Sequence, residues 1–316
     1  MIFEDLPTTP TAEELIDRAF SRAARAGRAQ SGTDGQQSML QTAANVLSDN
    51  LEHVVTSWPD FDTVDPFYYE LADALVEVDE LRKSLSEVRW ASQKTAELKS
   101  EYQGRLRGDV ETARKLRKQA FARLADVVEE VEPDLERLGA ARDELRTLPT
   151  ILPDEPTIVV AGFPNVGKST FVNNVTNARG EVASYPFTTT RIGVGHLSRE
   201  RIRYQLVDTP GLLDRDDGTR NEVELQAESA LAHVADCVLV FVDASEACGF
   251  PLDQQIALRD RVAERFSVPV LTVCTKADRS DDLDADHYLS VEQDEGIEAL
   301  VDAAVEAVGY EPELPY

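Results

Sequence analysis

Gly162-Phe163-Pro164-Asn165-Val166-Gly167-Lys168-Ser169 fits G-x-x-x-x-G-K-[ST], the pattern of a phosphate-binding loop. The residues before it, Thr157-Ile158-Val159-Val160-Ala161, read as a short buried strand. Those after it, Thr170 to Val175, have helical spacing and no breaker. Two glycines let such a loop curl so that several N–H groups face an anion, where the following helix adds its positive end. In that setting Lys168 reaches the β- and γ-phosphates of a nucleotide and Ser169 ligates Mg²⁺. Asn165, Val166, Gly167 and Thr170 belong to the same cradle. A chance glycine-rich turn would not explain the flanking strand and helix.

Working outward, short apolar runs alternate with helical segments from Thr157 onward. The runs predicted as strands are Thr157–Ala161, Ile192–Leu197, Arg203–Asp208, Cys237–Asp243, Val270–Thr275 and His287–Ser290. The predicted helices are Ser169–Thr176, Glu222–Val234, Pro251–Phe266 and Ile297–Val308. This alternation implies an α/β fold with a mostly parallel sheet, whose ligands bind at the carboxyl ends of the strands.

Three further motifs fall at or after such ends. Asp208-Thr209-Pro210-Gly211 follows a predicted strand, so Asp208 can hold Mg²⁺ through water and the Gly211 N–H can contact a γ-phosphate. Thr275-Lys276-Ala277-Asp278 ends another: a carboxylate there accepts both N1–H and N2–H of guanine, and Lys276 lays its stem along the base. Ser290-Val291-Glu292 lies where a last base-contacting loop would fall, although a plain acidic turn reads as well. In Pro186-Phe187-Thr188-Thr189, a threonine can give its hydroxyl oxygen to Mg²⁺ and its N–H to the γ-phosphate while that phosphate is present.

Residues 11–148 carry a different signature. Thr11-Ala12-Glu13-Glu14 opens a helix with a capping box. Gly32-Thr33-Asp34-Gly35 reads as a turn, a second helix spans Gln36 to Ser57, and Asp65-Pro66 starts a third. Apolar residues then step by three and four almost continuously to Leu145, with Gly104 and Gly108 flanking a break. Each helix has one apolar stripe, so they must pack on one another as an antiparallel bundle. The prolines at 149, 153 and 156 mark residues 149–156 as a linker between domains 1–148 and 157–316.

The formal charge is −27, from 59 acidic and 32 basic residues, and only seven of the latter are lysines. The acid is spread over the whole chain instead of being confined to a tail, which favours a protein of a high-salt cytoplasm over an acidic protein that binds basic partners. Cys237, Cys248 and Cys274 have no metal-like spacing and read as small core residues in a reducing compartment. The acidic N-terminus is no signal peptide, and no stretch approaches ~18 apolar residues. Within residues 99–123, eight basic residues face three acidic ones. Arg114, Arg117 and Lys118 share a helix face, as do Arg18, Arg22 and Arg25, so either face could hold a phosphate backbone or pair with acids of neighbouring helices.

The four nucleotide motifs, in this order, resemble the Obg-like branch of translation-factor-related GTPases. The helical first half, the Gly195-His196 pair and a chain ending soon after the G domain resemble the nucleolar GTP-binding protein (Nog) family, here from a halophilic archaeon. That resemblance implies a P-loop GTPase domain that binds GTP or GDP with Mg²⁺ and acts in large ribosomal subunit assembly. Its implied partners are ribosomal RNA and ribosomal proteins, with no membrane or DNA. Asn165 resembles the K⁺ ligand of potassium-activated relatives, or caps the turn. Two departures matter: the base motif begins with Thr275 instead of Asn, and Leu212 stands where many GTPases carry a water-orienting Gln. The resemblance implies slow intrinsic hydrolysis. A GTP-bound placeholder without useful turnover is the rival reading, and Asp278 argues against an ATPase or kinase.

Overall fold

The computed structural model describes residues 2–148, 151–176, 181–184, 191–209 and 229–311. Expectations on Thr189, Gly211, Leu212, the Thr run at 185–190 and most of the Glu222–Val234 helix lie outside them. The first half forms α1 (Ala12–Arg28), α2 (Gly32–Thr56), α3 (Pro66–Val76), α4 (Val78–Arg105), α5 (Val110–Glu130) and α6 (Glu132–Leu145). The chain divides into two compact units, residues 1–63 with 76–146 and residues 64–75 with 147–316.

In the first unit α1 packs on α2, α2 on α4 and α5, and α4 on α5 and α6. The apolar stripes supply the core: Leu15 and Ala19 from α1, Leu40, Leu47 and Leu51 from α2, Leu81 and Val88 from α4, Leu124 from α5 and Leu138 from α6 are all buried. Thr11 caps α1, its hydroxyl accepting from the Glu14 N–H while Glu14 accepts from the Thr11 N–H, both at 3.2 Å. Asp109 caps α5 by accepting from the Glu111 and Thr112 N–H groups.

The structure departs from the sequence reading at three breaks. Residues 32–35 are the first turn of α2, not a turn between helices. Gly35 is there for space: a Cβ would stand 2.9 Å from the Gln30 carbonyl oxygen, so the glycine lets α2 start close against the end of α1. The long stripe of 71–88 is interrupted at Glu77, which takes φ +49° between α3 and α4. A second interruption falls at Val131, where Pro133 sits in the first turn of α6 and needs no N–H bond.

The second unit carries a seven-stranded sheet of β1 (Thr157–Ala161), β2 (Glu181–Ser184), β3 (Arg191–Arg199), β4 (Ile202–Asp208), β5 (Cys237–Asp243), β6 (Val270–Thr275) and β7 (His287–Leu289). Its order is β2-β3-β4-β1-β5-β6-β7. All neighbours are parallel except the β2–β3 and β3–β4 pairs. Glu200 and Arg201, both with positive φ, make the two-residue turn joining β3 to β4. The helices are α7 (Lys168–Val175), α8 (Leu252–Arg265) and α9 (Ile297–Val308), with residues 229–234 also helical. β1 and β5 are buried along their whole length, as unbroken apolar runs in a parallel sheet should be. Phe171, Phe241, Leu206, Leu239 and Leu300 centre the core between sheet and helices.

The expected domain boundary also shifts, because residues 64–75 group with the sheet. Phe67, Tyr68 and Leu71 of α3 are buried, and the Tyr68 hydroxyl donates to the Ile151 carbonyl. Glu70 lies 2.9 Å from His233. The proline-rich stretch expected as a linker is fastened to β4: the buried Gln205 side chain accepts from the Leu152 N–H at 2.8 Å and donates to the Leu152 carbonyl at 2.7 Å.

Candidate nucleotide site

β1 lies between β4 and β5, so chain segments leave its carboxyl end toward both halves of the sheet and open a crevice there. The loop 162–167 fills this position. Gly162 has φ +139° and faces the Phe241 carbonyl, where a Cβ would come to 2.5 Å. Asn165 (φ +63°) and Gly167 (φ +106°) complete the curl, and Gly167 occupies the N-cap position of α7. The loop therefore needs glycine at its two ends, and asparagine tolerates the left-handed position between them.

Lys168 is buried, and its ammonium group donates to the carbonyls of Gly162 at 2.5 Å and Phe163 at 2.9 Å. Its stem thus crosses beneath the loop and its charge stays inside the curl. Ser169, next on α7, donates its hydroxyl to Asp208 Oδ2. Asp208 is buried at the end of β4, and its other oxygen, Oδ1, has no hydrogen-bond partner. Burial raises the Asp208 carboxyl above the ordinary value of 3.8, against the downward pull of the Ser169 hydrogen bond and the Lys168 charge. A buried carboxylate oxygen with no partner beside a serine hydroxyl suits a hard cation, so the donor set fits Mg²⁺. Among the described residues no group of three or more His, Cys, Asp or Glu side chains gathers as a metal site. The ion would therefore be held by Ser169, by Asp208 through water and by a phosphate ligand.

A cavity of about 310 Å³ runs from the phosphate loop to the ends of β6 and β7. Val166, Gly167 and Thr170 line one side, and Thr275, Lys276, Asp278, Ser290 and Val291 the other. These residues are far apart in sequence, and the parallel order β1-β5-β6-β7 brings them together. Ser290 donates its hydroxyl to Asp278 Oδ1 at 2.6 Å, so the weakest of the sequence motifs touches one of the strongest. Arg279 and Glu292 also line the cavity and form a 3.5 Å ion pair. The sequence reading placed Glu292 at the end of the last base-contacting loop and assigned Arg279 no site role.

It also missed Asp243, the fully buried end of β5, which pairs with Lys276 at 2.7 Å. Lys276 has a left-handed backbone, φ +50°. The three cysteines are free and buried, and burial pushes the Cys237 thiol up to about 12, in keeping with small core residues.

A family model for the NOG1 N-terminal helical domain matches residues 3–151, and a model for a 50S ribosome-binding GTPase matches residues 157–276. An uncharacterised protein of Methanocaldococcus jannaschii is 35% identical over 291 residues, covering 89% of this chain and 82% of that one. Nucleolar GTP-binding protein 1 of Drosophila melanogaster is 37% identical over 233 residues, 73% of this chain and 36% of the relative. The Caenorhabditis elegans protein of that name is 33% identical over 290 residues, 87% of this chain and 42% of the relative. The chain thus spans under half the length of these two nucleolar relatives. With one half matching the helical domain and the other carrying the nucleotide cradle, the chain belongs to the nucleolar GTP-binding protein 1 (NOG1) family of GTP-binding GTPases.

Proposed function

We propose that this protein is a slow GTP-hydrolysing switch that acts on the large ribosomal subunit during its assembly, in the cytoplasm of a high-salt cell. The observation that carries the nucleotide part is the cavity itself, which joins the phosphate loop at Gly167 to the Asp278–Ser290 pair. Asp278 selects guanine through N1–H and N2–H, while Ser290, Val291 and Lys276 frame the base. Lys168 and the loop N–H groups hold the phosphates; the two carbonyls that now receive the Lys168 ammonium group would yield it to phosphate oxygens. Ser169, Thr189 and, through water, Asp208 would hold Mg²⁺, which neutralises charge on the β- and γ-phosphates. Thr189 and Gly211 would sense the γ-phosphate. Leu212 cannot orient water, which supports slow intrinsic turnover.

The helical unit would read the ribosome. Of the basic stretch 99–123, Arg105 and Arg123 both reach Glu101 and lie over the Tyr102 ring. Arg117 donates to Gln36 and lies over Phe121. Arg107, Arg114, Lys115 and Lys118 are exposed and are the better candidates for RNA phosphates. Asn165 is exposed in the phosphate loop, where it could ligate K⁺.

The test is single-turnover hydrolysis of GTP and ATP in strong KCl and in NaCl of equal ionic strength, with and without large-subunit precursor particles. The expected result is a preference for GTP, stimulation by the particles and a higher rate in KCl. Equal use of ATP would overturn the guanine reading. GTP binding with no turnover under any condition would favour a GTP-bound placeholder, and equal rates in both salts would remove the K⁺ role.

A further inference from the structure

The Lys276 side chain is long and would sample many rotamers if it were tethered only by its backbone. In this fold it is not. Its ammonium group is paired at 2.7 Å with Oδ2 of Asp243, which has no exposed surface at all. Asp243 in turn is held on every polar atom. Oδ1 accepts from the Ser245 N–H at 3.0 Å and the Ser245 hydroxyl at 2.5 Å, and Oδ2 also accepts from the Cys248 N–H at 2.8 Å. Gln255, buried on α8, brackets its backbone by accepting from the Asp243 N–H at 2.8 Å and donating to its carbonyl at 3.1 Å. Burial alone would push the Asp243 carboxyl up, but the bonds from Lys276 and Ser245 outweigh that and hold it below the ordinary value.

The neighbouring residue is tied to the same strand end. Thr275 stands in register with Asp243, and its hydroxyl donates to the Val242 carbonyl at 3.3 Å. Two successive residues of the 275–278 segment are thus anchored on two successive residues of β5. Asp243 is buried and is not part of the cavity lining, while Lys276 is. We infer that Asp243 is a positioning residue for guanine-nucleotide binding. It holds the Lys276 stem against the cavity wall where the base would lie, and fixes the left-handed backbone from which Asp278 projects. The inference rests on the reading of Lys276 and Asp278 as base-contacting.

The experiment is a double-mutant cycle on the full chain, with affinity for fluorescently labelled GDP measured in strong KCl and melting curves run alongside. The variants are Asp243→Asn, Lys276→Met and the pair. Each single change is expected to weaken binding about tenfold, the loss of one charge-assisted anchor. The double variant is expected to bind no more weakly than Lys276→Met, because Asp243 acts through that side chain. Wild-type affinity in Asp243→Asn, or losses that multiply in the double variant, would overturn the inference. Unchanged affinity in Lys276→Met would instead sink the base-contact reading beneath it. Should Asp243→Asn fail to fold, Ser245→Ala enters the same cycle. A smaller loss that vanishes in the Lys276→Met background supports the role, and one that persists there refutes it.

Discussion

Asp208 is held in a form that would suit a bound cation better than it suits the fold. Its Oδ1 is buried and has no partner, and burial raises its carboxyl above the ordinary range. A desolvated, half-paired carboxylate destabilises the nucleotide-free protein. Asp208→Asn is therefore expected to stabilise the nucleotide-free chain by about 1 kcal/mol, since a neutral amide of the same shape sheds much of that desolvation. The same change is expected to remove most of the tightening that Mg²⁺ gives to nucleotide binding. Thermal melts with chelator, and with Mg²⁺ and GDP, read both effects. A variant that loses stability in chelator yet keeps the Mg²⁺ effect would show that Asp208 is a structural aspartate. Such opposition between stability and function is usual at binding residues.

At the scale of elements, α3 is the one whose place could not be read from its own residues. Its apolar stripe is as regular as those of its neighbours, and a stripe says only that a helix is covered, not by what. The structure groups residues 64–75, which hold all of α3 but Val76, with the sheet, where the Tyr68 hydroxyl donates to the Ile151 carbonyl. Tyr68→Phe is expected to lower stability by about 1–3 kcal/mol, the range for leaving a buried polar group without its partner. Burial, helped by Asp65, raises this phenol from 10.0 to about 12. A phenol that keeps its proton longer when folded contributes stability that is complete below pH 10 and is lost as pH climbs toward 12. The gap in unfolding free energy between wild type and Tyr68→Phe should therefore narrow across that window; a constant gap would mean the phenol is not held by the fold. The same distinction separates what sequence revealed from what it hid. β1, β5 and β6 were legible because short, valine-rich apolar runs admit little else, and β4 because its apolar end Leu206-Val207 leads directly into Asp208-Thr209-Pro210-Gly211. The phosphate loop was legible because its glycines and Lys168 are contiguous. β2 has no apolar run, Glu77 breaks a helix inside a continuous stripe, and the Asp243–Lys276 pair depends on strand register, which no local pattern encodes.

Across the whole molecule the dominant fact is charge. A net −27 on 316 residues sets every surface patch against every other, and folding brings them closer. The ion pairs offer little relief, because those of the helical unit, such as Arg82 with Asp62 and Lys83 with Glu80, are largely exposed, and exposed pairs contribute about 0–1 kcal/mol each. Screening is the larger lever, since the Debye length falls from about 10 Å at 0.1 M salt to about 3 Å at 1 M. The melting temperature is therefore expected to rise steeply with KCl up to roughly 1 M, where the Debye length is already shorter than the spacing of most surface charges. KCl and NaCl should stabilise equally, because screening depends on ionic strength and not on the cation, so a K⁺ effect on hydrolysis would stand apart from it. Sucrose separates the two sources of stabilisation: it strengthens burial by exclusion without screening charge, so it should not reproduce the steep rise. A melting temperature that is flat in salt, or that follows sucrose as closely as KCl, would mean the acidic surface does not limit this fold and would remove the ground for placing it in a saline cytoplasm.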